Sequence, residues 1–145
     1  MIDSFEDAQH FFVVTKMMPA GDLVSYLTKQ EHQPLSERHA KKIMLQIARG
    51  VQCLHKQLVL HRDLKIQNIY LSDYTEDAKV YIGDYGAAVR LTTPESRANF
   101  KIGSPGFMAP EVAEKIPYGF KCDIFSLGCI MHCILFAVCP FWSEE

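Results

Sequence analysis

His61-Arg62-Asp63-Leu64-Lys65-Ile66-Gln67-Asn68 is a polar stretch set between two short apolar runs, at 58–60 and 69–71. The runs have the length and composition of short strands, so the polar stretch is predicted to be a loop held at both ends. C-terminal to it, a turn at 72–77 leads to a third strand near 79–82. N-terminal to it, Ser36 is predicted to cap a helix whose apolar residues are Ala40, Ile43, Met44, Ile47, Ala48, Val51 and Leu54. Their offsets of three and four place them on one face. Further out, a polar loop containing Pro34 follows a short helix that Asp22 caps and that runs to about Lys29. The β-branched and aromatic residues of 10–18 read as a strand stopped by Pro19-Ala20-Gly21. Residues 83–108 mix Gly, Pro, Ser and Thr and are expected to form one long irregular segment, of the kind that usually carries function. An apolar helix is predicted over 123–138. Repeats, low-complexity tracts and linkers are absent from the sequence.

The 145 residues are 48% apolar and 22% charged, a globular composition sufficient for one domain. A net charge of -2 gives no basic footprint for nucleic acid and no polybasic membrane patch, so neither partner is expected. The five cysteines (Cys53, Cys122, Cys129, Cys133, Cys139) are odd in number and lack CxxC spacing. Reduced thiols in an intracellular, cytoplasmic protein are the expectation. Cys129 and Cys133 flank His132 at helical spacing but lack a fourth ligand, and they read as buried thiols. The acidic start, Met1 to Asp7, lacks the basic-then-apolar order of a signal peptide. From Ile124 to Trp142 there is no Asp, Glu, Lys or Arg, which is long enough to raise a membrane span. Ser126, Gly128, His132 and Pro140 interrupt the run, and a helix buried in a protein core explains it better.

The loop at 61–68 carries a carboxylate, a cation and an amide oxygen within reach of one another in sequence: Asp63, Lys65 and Asn68. Phosphoryl transfer needs such a set, to orient a hydroxyl, to neutralise phosphate charge and to ligate magnesium. The stretch matches the catalytic loop H-R-D-L-x-x-x-N of protein kinases. Asp84-Tyr85-Gly86 resembles their D-F-G, with a tyrosine whose hydroxyl needs a partner, and Ala109-Pro110-Glu111 resembles the triplet closing their activation segment. Asp123-Ile124-Phe125-Ser126-Leu127-Gly128 is similar to the start of the buried large-lobe helix, where Asp123 would hold the catalytic-loop backbone. The sequence is identified on these motifs as a member of the eukaryotic Ser/Thr protein kinase family. The resemblance implies an α+β, protein-kinase-like fold, mostly the helical large lobe (19–145, stopping before its final helices) with the last small-lobe strands, 1–18 forming the end of the small lobe and the hinge.

It further implies ATP and Mg2+ as cofactors and a protein Ser/Thr hydroxyl as acceptor. Asp63 would orient or deprotonate that hydroxyl, Lys65 would neutralise the moving phosphate, and Asn68 and Asp84 would bind the metal. Lys65 and the Gly103-Ser104-Pro105 stretch resemble the Ser/Thr rather than the Tyr pattern, and in it the Ser104 hydroxyl contacts the catalytic Asp and Lys. In the hinge, Thr15 would be the gatekeeper, Lys16 to Met18 would offer backbone groups to adenine, and Asp22 would meet the ribose. The resemblance begins just before the hinge strand and stops soon after Pro140-Phe141, so a Gly-rich loop, its strand lysine and the arginine partner of Glu111 lie outside it. A fragment of an active enzyme is the expectation, and a non-catalytic interaction module is the alternative. Gln67 and the Pro-Gly after Ser104 resemble different kinase groups, NIMA-related and calcium-regulated, which leaves the group open.

Arg62 suits docking of an activation-segment phosphate. Yet Phe100 stands where the family often has a phosphorylated threonine, and Val89 where it often has a basic residue. Activity without phosphorylation at that site is therefore expected, with Thr92, Thr93 and Ser96 as remaining candidates.

Overall fold

The computed structural model describes residues 2–29 and 33–141. Helix α2 (Glu37–Lys56) is the spine on which the rest is arranged. Ser36 caps it as expected, its Oγ accepting from the His39 N–H at 3.3 Å, an interaction worth about 1 kcal/mol. Its buried face comprises His39, Ala40, Ile43, Ile47 and Val51. Met44 packs against the same core, whereas Ala48 is exposed. That face meets strand β5 (Val80–Ile82) and, C-terminal to the short helix α3 (Pro110–Ala113), helix α4 (Lys121–Phe136). At Gly50 the approach is so close that an added Cβ would lie 2.8 Å from Ile82 Cδ1. Between α2 and α4, Ile43, Ile47, Ile130 and Ile134 are almost wholly buried, each contributing about 1.5–3 kcal/mol.

The short helix α1 (Leu23–Lys29) starts where Asp22 Oδ1 accepts from Ser25 N–H at 2.7 Å. Strand β3 (Val59–Leu60) leads into the polar loop, which ends in a 3-10 turn (Ile66–Asn68) and strand β4 (Ile69–Leu71). Strands β4 and β5 pair antiparallel, with Ile69 opposite Ile82 and Leu71 opposite Val80. The loop is thus anchored at both ends, as its flanking apolar runs predict.

Three differences from the sequence reading have physical causes. The strand expected over 10–18 is regular only at β2 (Phe11–Val14) and pairs with an unpredicted strand, β1 (Asp3–Glu6). Strand β1 holds one apolar residue, Phe5, stacked on Phe12 at 4.8 Å, so cross-strand pairing rather than propensity makes it. The segment 83–108 is not wholly irregular. It contains β6 (Val89–Arg90), paired with β3, and an isolated bridge between Ala98 and Tyr118. Such pairings are too short for periodicity to reveal.

The apolar helix begins and ends two residues earlier than the predicted 123–138. It stops at Ala137, which adopts a left-handed conformation (φ 56°) and returns its N–H to Cys133 O at 2.9 Å. One face of α4 is buried through Cys122, Leu127, Cys129, Ile130, Cys133 and Ile134, while Ile124, Met131 and Phe136 are exposed. At about 24 Å it is shorter than a bilayer core. Among the described residues no helix is long and apolar enough to cross a membrane. The charge-free run itself extends to Trp142, outside the described residues.

Candidate active site

Asp123, on the first turn of α4, is completely buried and organises the loop from beneath. Its Oδ2 accepts from His61 N–H at 3.0 Å and lies 2.8 Å from His55 Nε2, while Oδ1 accepts from Arg62 N–H at 2.9 Å. Arg62 has a positive φ of 67°, a conformation costly for a residue with a Cβ. Two backbone donors aimed at one buried carboxylate hold that turn in place. Next to Asp123, burial and the neighbouring negative charge push the Cys122 thiol up to about 12, so it stays protonated.

His61 is also fully buried. Asp63 N–H donates to its Nδ1 at 3.3 Å, so the ring proton sits on Nε2, which donates to Gly83 O at 3.1 Å. This imidazole straps the loop to the end of β5, and Gly83 N–H donates to Asn68 O at 2.9 Å across the same gap. Asp84 therefore follows directly on the backbone contact between the two segments. It is exposed, has φ 56°, and its Oδ1 accepts from Gly86 N–H at 3.3 Å. The tyrosine hydroxyl at the next position has its partner: Tyr85 Oη donates to Ile82 O at 3.2 Å. Burial raises the phenol above its ordinary value and keeps it a donor. The Tyr85 ring lies 5.2 Å from that of His61.

Four of the sequence-derived site residues form one hydrogen-bonded group. Ser104 Oγ donates to Asp63 Oδ1 at 2.8 Å and accepts from Lys65 Nζ at 2.8 Å. Lys65 Nζ lies 3.1 Å from Asp63 Oδ2. Asn68 Nδ2 donates to Asp63 O at 2.9 Å and to Asp63 Oδ2 at 3.3 Å. No hydrogen bond among the described residues engages Asn68 Oδ1. Ser104 arrives from a distant segment because Gly103 has φ 117° and no side chain. A Cβ there would stand 2.6 Å from Arg62 O.

The residues expected to form a hinge share no hydrogen bond with this group among the described residues. Thr15 and Lys16 are exposed in the extended segment after β2. Met18 is half-buried, and its carbonyl accepts from Gly21 N–H at 2.9 Å. Asp22 is committed to capping α1, and its backbone bridges to Tyr70 on β4. Cys129 and Cys133 are buried, and burial raises both thiols. His132 Nδ1 lies 2.9 Å from Val138 O.

Two contributors escaped the sequence reading. His55, in the last turn of α2, touches Asp123, and Tyr118 links Arg62 to the segment after β6. Neither lies in a motif, and each acts through contacts distant in sequence.

The protein kinase domain model matches residues 1–145. The chain is similar to the serine/threonine-protein kinase PLK4 of Nematostella vectensis, 36% identical over 140 residues, covering 97% of this chain and 14% of that protein. It is also similar to the serine/threonine-protein kinase Nek3 of Mus musculus, 36% identical over 143 residues, covering 99% of this chain and 27% of that protein. PLK4 of Drosophila willistoni is 31% identical over 140 residues, with coverages of 97% and 17%. The chain thus spans between 14% and 27% of the length of these curated relatives. With a match along its whole length and these identities, the chain belongs to the protein kinase family.

Proposed function

We propose that this chain carries the catalytic centre of a protein Ser/Thr kinase, transferring the terminal phosphoryl group of ATP to a Ser or Thr hydroxyl. Residues 1–18 serve as the end of the small lobe and the hinge, and 19–145 as large lobe. The observation that carries the reading is the hydroxyl of Ser104 held between Asp63 Oδ1 and Lys65 Nζ, at 2.8 Å from each. A carboxylate and an ammonium converging on one hydroxyl are suited to orienting an acceptor alcohol. Asp63 draws the acceptor proton, and Lys65 offsets charge on the phosphoryl oxygens.

The donor set suits magnesium. Asn68 Oδ1 and the Asp84 carboxylate are hard oxygen ligands, and Mg2+ usually takes one or two protein groups and completes its shell with phosphates and water. Bound there, the ion would neutralise the phosphate chain. Backbone groups of Lys16 to Met18 would contact adenine beside Thr15, with Asp22 near the ribose.

The test uses the full-length protein containing this chain, with Mg-ATP and matched peptides offering Ser, Thr or Tyr. Phosphoserine and phosphothreonine are expected by phosphoamino-acid analysis. Nucleotide binding without transfer, or phosphotyrosine alone, would overturn the proposal.

A further inference from the structure

Arg62 is the residue at which an activation-segment phosphate would dock, yet in this chain its guanidinium already has other partners. Its Nε donates to Ala87 O at 2.7 Å, one residue beyond Asp84-Tyr85-Gly86. Its Nη1 donates to Tyr118 Oη at 3.3 Å. Tyr118 in turn donates that hydroxyl proton to Phe100 O at 2.7 Å. The same residue is bound to the segment by its backbone, through Ala98 N–H to Tyr118 O at 2.9 Å and Tyr118 N–H to Ala98 O at 2.8 Å. Tyr118 is 2% exposed. Among the described residues no carboxylate pairs with Arg62.

We propose that Tyr118 is a positioning residue: its hydroxyl joins Arg62 to Phe100 and holds the segment between Ala87 and Ser104 in place without a phosphate. This inference rests on the kinase reading above and concerns regulation of the same site.

The chemistry of the hydroxyl explains the fit. A phenol accepts one hydrogen bond and donates another, so it can stand between a guanidinium and a carbonyl. A phosphate dianion is chiefly an acceptor and would repel the Phe100 carbonyl at that point. Phe100 has no hydroxyl to phosphorylate, the residue is 73% exposed, and only its backbone takes part. Val89 supplies no second cation for a phosphate. The clamp is also well placed to act on the chemistry. Arg62 is fixed by Asp123 through its backbone N–H, and its carbonyl lies against Gly103, which presents Ser104 to Asp63. Loosening Phe100 therefore loosens the chain three residues before Gly103.

The test is hydrogen exchange on the full-length protein and on Tyr118→Phe, each with and without phosphatase treatment, read beside steady-state kinetics. Removing one hydroxyl that makes two hydrogen bonds is expected to speed exchange of the 98–103 amides about five- to tenfold. It should lower kcat severalfold with KM for ATP unchanged, while phosphatase treatment leaves the wild type as it was. Unchanged exchange at 98–103 in Tyr118→Phe would overturn the proposal, and so would a wild type that loosens there after phosphatase. Should Tyr118→Phe fail to fold, Arg62→Lys provides the second reading. It keeps the charge but loses the fork, and faster exchange at both 87–88 and 98–103 is expected, with unchanged exchange counting against the clamp. Exchange is read without turnover, so absence of kinase activity would refute the assigned reaction while leaving the clamp measurable.

Discussion

Asp63→Asn in the full-length protein is expected to lower phosphoryl transfer by about 10²–10⁴-fold, the usual contribution of a positioned proton acceptor. Nucleotide affinity should change little. The substitution conserves volume, so the loop should keep its shape. Two donors, Lys65 Nζ and Asn68 Nδ2, approach the Oδ2 side, and the amide oxygen must therefore take that position. Its NH2 then faces Ser104 and the acceptor, where it can donate but cannot receive a proton. The charge that holds Lys65 is also lost. Titration calorimetry with a nucleotide analogue and initial rates on a Ser peptide separate the two effects. Near-normal turnover would remove Asp63 from the chemistry.

Asp123→Ala is expected to be the most destabilising single change in the loop's foundation, at about 3–5 kcal/mol. The carboxylate has no contact with solvent and receives the N–H groups of His61 and Arg62 as well as the His55 contact. Truncation leaves those donors buried without an acceptor, which costs far more than the modest net gain of forming ordinary hydrogen bonds. It also removes what fixes the left-handed turn at Arg62. Asp123→Asn should cost less, since one oxygen still accepts. Denaturant unfolding followed by a probe in this domain measures both. A midpoint shift equivalent to under 1 kcal/mol for the alanine variant would show that the loop is held by other means.

The polar loop at 61–68 was legible because its side chains are local: Asp63, Lys65 and Asn68 lie within one short stretch, and flanking apolar runs fix where it starts and stops. Helix α2 was legible for the complementary reason, since its cap and its buried stripe are both written at fixed offsets. Asp123 could be assigned only through family resemblance, because nothing near it in sequence tells that its partners are at 61 and 62. Strands β1 and β6 were missed because each exists by pairing with another segment, over two to four residues and with little apolar content. Tyr118 was missed for the same reason at the level of a side chain. Its hydroxyl bridges 62 and 100, and no periodicity connects those positions. Ala48, placed on the core face by spacing alone, is exposed because the buried stripe of α2 is narrower there than the offsets suggest.

In the proposed function, Asn68 and Asp84 serve one metal ion while Asp63 faces the acceptor. A crystal structure of the full-length protein with Mn2+ and a non-hydrolysable ATP analogue tests it, because manganese is located by anomalous scattering. A peak within ligand distance of both Asn68 Oδ1 and the Asp84 carboxylate is expected, with Asp63 directed toward the terminal phosphoryl group. A peak ligated by other side chains, or Asp63 and Asp84 opening onto separate cavities, would contradict it.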